Sequence, residues 1–557
     1  MSKFFIADPI HINRKNFGSL YEYFEESKAH TIFNEERQNW ISLFGDYSAH
    51  QEQLNEELLH LQSLTQDELF NLTVLEINIF KVARAEILSL LITRSTIINT
   101  PLPATRREIF NYIFNTEKET LLLNMAAAIQ WINHWATTIK KYNPKFVLVF
   151  SGSLIYARTL LELLKNSAPR AFVLESFFTG SDNYIEEKYE PIANNSNLKF
   201  KAYYRSLGSN DSPAERDRNR NKAVNKILSG TNKNVVQPLE SKEKLFKNNQ
   251  KTVLITGQVL NDFSLLEHKD LGLNSLCFYK EIIRKVLSET DLNVIFKAHP
   301  WERKKKNITT PLTFNELSSH FETNEKGYNS SERLLILEDY NIKSIFRQTE
   351  YVLGLNSQAL LEAAFEGFQP IQFANAFYGN LGFTSDYSLE KVDDFIDDLK
   401  AGKVPSRLGL AQYRSYEEFI TKALQFSLVS AFPSGKIMLK TIFNITPHIT
   451  LISKQAQNAK PQETKAAAPK QTVQPEKTSQ SAQPAKPTKP VQPAKPTKPA
   501  QPVTAPAPAQ TPASSEKNPD SKSKKKWGKF FKSPKKFFLD SKNKKIRWLH
   551  HFFWSLS

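Results

Sequence analysis

The chain has 557 residues, 40% of them apolar, which is too long for one hydrophobic core and sets a prior of two to four domains. One cysteine, Cys277, excludes an internal disulfide and a cysteine zinc site and fits a reducing compartment. The formal charge of +17 is lopsided: residues 454–557 carry 22 Lys and Arg against 5 Asp and Glu, and the preceding residues carry 52 of each sign, which removes most support for a nucleic-acid-binding body.

The first residues, MSKFFIADPIHINRKNFG, lack the long apolar stretch of a signal peptide. No apolar run reaches about eighteen residues, so no membrane-spanning helix is expected. KFFIADP reads as a strand. From about 50 to 140 the apolar spacing is helical, as in QLNEELLHLQSLTQDELFNLTVLEINIFKVARAEILSLL, and predicts a helical insert. KFVLVF (145–150) is a strand, SGS (151–153) a turn, LIYARTLLELLKN an amphipathic helix and RAFVLESFF (170–178) the next strand. That succession is the βαβ unit of a parallel sheet. Glu186, Glu187 and Glu190 read as a solvated acidic face. Residues 208–250 are polar and are expected to connect two halves.

The second half repeats the pattern. Strands are expected at KTVLITGQ (251–258), NVIFKAHP (293–300), RLLILE (333–338), EYVLGLNS (350–357) and QPIQFA (369–374). Helices are expected at 276–289, 341–348 and 358–367. The fold class is therefore α/β, with two Rossmann-like domains in a GT-B-like arrangement, at 1–240 (with the insert 50–140) and 250–450. The segment 454–520 repeats QPAKPTKP and is expected to be an extended, disordered Pro/Lys-rich linker. In 521–557, lysines alternate with Trp527, Phe530, Phe531, Phe537, Phe538, Trp548, Phe552, Phe553 and Trp554. Paired aromatics among lysines suit an anionic bilayer surface better than a nucleic acid.

In parallel sheets ligands bind beyond the carboxyl ends of the strands. Polar groups recur there: Glu175 after AFVL, Gln258 and Asp262 after VLITG, Lys297 and His299 after NVIF, Asn356 and Ser357 after YVLGL, with Glu362 one turn into the next helix. Lys297, His299 and the helix start at Ser357 together suit a phosphate. Each residue also has a structural alternative, Ser357 as a helix cap, Asp262 as a turn aspartate and Glu362 as a solvated helix residue. Glu175 lies in an apolar run and needs a partner or a raised pKa. The sequence contains no G-x-G-x-x-G, Walker A or H-E-x-x-H motif and no metal-ligand spacing, so neither a metal nor a cofactor is expected.

FVLESFF, VLITGQVLNDFSLLE, FKAHPWE and LGLNSQALLEAAFEGFQPIQFANAFYG, in this order along the chain, resemble elements of the bacterial capsule-polysaccharide biosynthesis family that contains the Kdo transferases. The resemblance spans roughly 145–380. It implies a GT-B-type glycosyltransferase that takes an acidic sugar, most simply Kdo, from a CMP-sugar donor to a lipid-linked or growing glycan acceptor. It further implies Asp262 as nucleophile of a retaining double displacement and Glu175 as acid/base on the acceptor side. Gln258, Lys297, His299, Asn356 and Ser357 would hold the CMP, and Glu362 would contact the ribose. Two positions depart from the family pattern. Leu360 stands where glycine is common, and Gly367-Phe368-Gln369-Pro370 replaces the usual G-K-P. Related elements in CMP-sialic acid transferases keep a sialyltransferase or polysialyltransferase-like capsule polymerase open as the alternative. A non-catalytic, membrane-tethered capsule assembly scaffold is the alternative from another class. The expected location is cytoplasmic, peripheral at the inner face of the membrane, bound through the basic tail, among other capsule assembly proteins and with no nucleic acid partner.

Overall fold

The computed structural model describes residues 2–94, 97–229, 237–302 and 310–444. The expected linker 454–520 and the basic-aromatic segment 521–557 lie outside them.

The first lobe is built on β1 (Lys3–Ile6) and β2 (His30–Phe33), a small hairpin β3 (Thr73–Val74) and β4 (Ile77–Asn78), then β5 (Phe146–Phe150), β6 (Arg170–Ser176) and β7 (Asp182–Glu187). Strands β2, β1, β5 and β6 run parallel in that spatial order, and β7 adds antiparallel to β6. Alternation decides the two faces. Phe4, Ile6, Phe146, Leu148, Phe172 and Leu174 point to one side, where Leu20, Phe24 and Phe443 cover them. Phe5, Ala7, Val147, Val149, Ala171 and Val173 point to the other, into the main core. The helical insert, principally Asn55–Ser63, Ile79–Leu91, Arg106–Thr116 and Lys118–Tyr142, packs there around the buried Trp131 and Trp135.

The second lobe holds β8 (Thr252–Thr256), β9 (Asn293–Lys297), β10 (Leu334–Leu337), β11 (Tyr351–Gly354), β12 (Ile371–Gln372) and β13 (Ser385–Asp386). All six are parallel, in spatial order β10-β9-β8-β11-β12-β13. Numbered within the lobe this is 3-2-1-4-5-6, the doubly wound order whose crevice opens between strands 1 and 4. Those strands are β8 and β11, and they approach so closely that a Cβ at Gly354 would stand 2.4 Å from Thr256 Oγ1. Glycine is the residue that fits.

Two features differ from the sequence expectations. Residues 208–250 are more than a polar connection: Pro213–Ser229 is a helix packed on Leu410–Lys422, with Ala223 fully buried. The chain also crosses back at its end. Strand β14 (Val429–Ser430) pairs with β7, and helix Gly435–Asn444 lies on the first sheet, so residues expected within 250–450 complete the first lobe. The acidic run is corrected too. Glu186 is 4% exposed and accepts hydrogen bonds from Ser196 Oγ at 2.6 Å and Asn197 N–H at 2.7 Å, with the buried Lys188 nearby. Only part of a charge run that sits on a strand faces water, because alternate side chains turn inward.

Candidate active site

Gln258 and Asn356 follow β8 and β11 and are tied to each other. Gln258 Nε2 donates to Asn356 Oδ1 at 2.8 Å, and Asn356 N–H donates to Gln258 Oε1 at 3.1 Å. Ser264 joins them: its Oγ donates to Asn356 Oδ1 at 2.9 Å, and its carbonyl accepts from Asn356 Nδ2 at 3.2 Å. This knot fixes the loop 258–264 over the crevice. Asp262 caps the short helix Phe263–Leu266 by accepting the Ser264 N–H at 2.8 Å. Below it, the buried Glu302 of the FKAHPWE stretch accepts the N–H of Leu260 at 3.0 Å and of Thr313 at 2.9 Å. Burial raises the Glu302 pKa against these hydrogen bonds.

The insert holds the same loop from the other side. Arg84 Nη1 donates to the Leu266 carbonyl at 2.8 Å and Nη2 to Glu267 at 3.1 Å, and Asn261 Nδ2 donates to the Ser89 carbonyl at 3.2 Å. The lobes also meet directly. Phe178 N–H donates to Gln358 Oε1 at 2.9 Å, and Asn194 accepts the Phe377 N–H at 2.7 Å and donates to the Asn375 carbonyl at 3.1 Å.

Glu175 stands near the end of β6 in the first lobe. Burial raises its pKa; hydrogen bonds from Ser176 N–H and the Ser151 side chain oppose that, the Asp262 charge raises it further, and His11 lowers it. Charge coupling of this kind requires proximity. The Glu175 carboxylate of the first lobe thus feels the Asp262 charge of the second.

The remaining expected residues make the following contacts. Ser357 Oγ accepts the Ala359 N–H at 3.2 Å, just ahead of helix Ala359–Phe365. His299 Nδ1 accepts the Trp301 N–H at 3.1 Å, which puts the neutral ring's proton on Nε2 and makes that edge a donor. Lys297 is buried with Nζ on the carbonyls of Ala298 at 2.9 Å and Glu338 at 2.5 Å, at the ends of β9 and β10. Desolvation lowers its pKa to about 8, against the pull of Asp339 and Glu338. Glu362 lies on helix Ala359–Phe365; burial raises its pKa to about 7, Lys343 lowers it and Glu366 raises it.

Three site residues escaped the sequence reading. Asp8 is fully buried at the end of β1 and accepts His11 Nδ1 at 2.7 Å, the His11 backbone N–H at 3.0 Å and the Tyr156 hydroxyl. The His11 ring stacks on Phe150 at the end of β5, with centroids 4.8 Å apart. These residues occupy the point where the first sheet's strand order reverses, between β1 and β5. The signal was D-x-x-H after a strand; Tyr156, more than a hundred residues away, leaves none.

Sequence comparison matches part of the chain to a family model. Residues 183–397 match the model described as capsule polysaccharide biosynthesis protein. The match bears out the resemblance carried by the QVLND, KAHP and NSQALLE elements, which all fall within it. Among solved structures the chain is similar to Thermosulfurimonas dismutans KpsC, beta Kdo 2,4 transferase, at 16% identity over 53% of this chain and 87% of that one, with a TM-score of 0.36. It is also similar to Thermosulfurimonas dismutans KpsC, beta Kdo 2,7 transferase, at 15% identity over 56% and 90%, with a TM-score of 0.32. No curated protein matches the chain.

Proposed function

We propose that this protein is a glycosyltransferase of capsule or surface polysaccharide biosynthesis that moves an acidic sugar, Kdo, from a CMP-sugar to a lipid-linked or growing glycan. The reading is supported by Asp262 and Glu175, carboxylates at strand ends of the two lobes, the charge of the first raising the pKa of the second. The capsule-family match over 183–397 supports the reaction class.

The Asp262 carboxylate attacks the anomeric carbon of the donor, and the bond to the CMP phosphate breaks with its electron pair leaving on phosphate oxygen. A donor edge at His299 Nε2 lies beyond β9, where it can meet the charge developing on that phosphate. The acceptor hydroxyl then attacks the same carbon, the bond to Asp262 breaks and its electron pair returns to the carboxylate. The hydroxyl proton goes to Glu175. A carboxylate with a raised pKa is the stronger base, and two inversions restore the donor's anomeric configuration. Gln258 and Asn356 act by holding the Asp262 loop, since their amides bond to each other and to Ser264.

Among the described residues no helix is long and apolar enough to cross a membrane. We assign attachment to the 521–557 segment, with its lysines on anionic lipid headgroups and its rings in the headgroup layer.

The deciding experiment offers the purified protein CMP-Kdo or CMP-sialic acid with a glycolipid acceptor and follows CMP release and product mass. Turnover of CMP-Kdo is expected. Turnover of CMP-sialic acid alone moves the assignment to the sialyltransferase alternative, and consumption of neither leaves the assembly scaffold.

A further inference from the structure

Asp262 sits in a loop of the second lobe, yet one helix of the insert grips that loop on both sides of it. Just before Asp262, the fully buried Asn261 donates from Nδ2 to the Ser89 carbonyl at 3.2 Å. Just after it, Arg84, 1% exposed, donates from Nη1 to the Leu266 carbonyl at 2.8 Å and from Nη2 to Glu267 Oε2 at 3.1 Å. Arg84 and Ser89 both stand on helix Ile79–Leu91. One further bond completes the link to Asp262: the Leu266 N–H donates to the Asp262 carbonyl at 3.0 Å. Leu266 thus takes Arg84 on its carbonyl and gives its own N–H to the backbone of Asp262. The short helix Phe263–Leu266 between them ends in carbonyls that have no partner within it, and where such groups are buried a donor must come from elsewhere. The planar guanidinium offers two N–H groups in a fixed fork, which serves the Leu266 carbonyl and the Glu267 carboxylate together; a lysine ammonium has no such fork. The helix that supplies it lies outside residues 183–397, the part of the chain that matches the capsule family.

We propose that Arg84 is a positioning residue for the transfer reaction: through the Leu266 carbonyl and Glu267 it sets the Asp262 carboxylate where it attacks the anomeric carbon, with Asn261 as the second anchor. Arg84 makes and breaks no bond to the sugar. Its share is geometric, because a near-attack arrangement of the reacting atoms is part of the rate, and about 1 Å of misplacement costs roughly 100-fold. The insert is then a working part of the active site as well as a cover for the first sheet. Lys297, His299 and Ser357, the residues assigned to the nucleotide, follow other strands, so donor binding and placement of the nucleophile are separable. This inference rests on the transferase reading with Asp262 as nucleophile.

The test uses the full chain in wild type, Arg84→Met, Arg84→Lys and Asn261→Ala. With CMP-Kdo, formation of the sugar adduct on Asp262, followed by intact mass, should slow roughly 100-fold in Arg84→Met and by less in the other two. CMP affinity by calorimetry should stay within about twofold of wild type, since the nucleotide's partners are untouched. Amide hydrogen exchange should quicken at 260–267 and keep its wild-type level in β8 and β11. A purely structural arginine would lower the melting temperature and leave the folded protein's rate of adduct formation unchanged. That result, a loss of CMP affinity as large as the loss of rate, or unaltered exchange at 260–267 would each overturn the positioning role. If Arg84→Met fails to fold, Arg84→Lys, which keeps the charge without the fork, and Asn261→Ala, which removes the other anchor, carry the comparison on the same criteria. A wild type that forms no adduct overturns the transferase reading and this inference with it, so the two failures are told apart by the wild-type lane.

Discussion

Asp262 has a structural duty beside its proposed chemical one, so the choice of substitution matters. Its side chain caps Phe263–Leu266, and replacement by alanine forfeits about 1 kcal/mol of cap. Asp262→Asn keeps an acceptor oxygen and removes the nucleophile. Transfer should fall on the order of 10³-fold or more with the melting temperature nearly unchanged, read by CMP release beside thermal melts. His299→Ala removes the Nε2–H donor and should weaken CMP binding roughly tenfold by calorimetry, as expected for one hydrogen bond to a charged group. In the proposed reaction Glu175 sets the acid side of the pH profile. It must be ionised to accept the proton, so the rate falls as pH drops through its pKa, which burial has raised. The acid limb of kcat should therefore lie above the ordinary carboxylate range and vanish in the residual activity of Glu175→Gln.

At the scale of elements, the insert and the site are joined through Glu86, at the heart of helix Ile79–Leu91. This buried carboxylate accepts the N–H of Gly45 at 2.9 Å and of Ile155 at 2.6 Å, and so caps helix Ile155–Leu164, which carries Tyr156 toward Asp8. Desolvation nonetheless raises its pKa to about 7. The folded state thus binds a proton that the unfolded chain has released above about 4.5. This stabilisation is complete below that pH and is lost as pH rises through 7, roughly 3 kcal/mol in all. Urea midpoints should fall between pH 5 and 8 in wild type, and the part due to this group should be missing in Glu86→Gln. The elements themselves were unevenly legible. Runs such as TVLIT, NVIFK and LLIL declare buried parallel strands, and the polar groups Gln258 and Asn356 that follow two strands of this sheet are bonded to each other. Strand β7 was hidden because its buried Glu186 resembles a solvated acidic run. Helix Pro213–Ser229 was hidden because its apolar stripe is narrow, Ala223, Val224 and Ile227 among charges. The Asp8–His11–Tyr156 cluster needs β1 and a helix about 150 residues away to meet, which no local pattern encodes.

For the whole molecule, charge and chemistry are divided: a neutral folded body and a basic, aromatic extension. Deleting 521–557 should release the protein from phosphatidylserine vesicles in a flotation assay and leave its turnover of soluble acceptor intact. A truncated chain that still floats would place the lipid contact on the folded part. The return of the chain to the first sheet has a mechanical consequence. The halves are joined by two covalent crossings, through Pro213–Ser229 outward and through Leu410–Lys422 and the wide turn Ala423–Ser427 back, and the two helices lie against each other. Both covalent connections between the lobes thus run through a single packed helix pair, so a bulky residue in place of the fully buried Ala223 disturbs both of them at once.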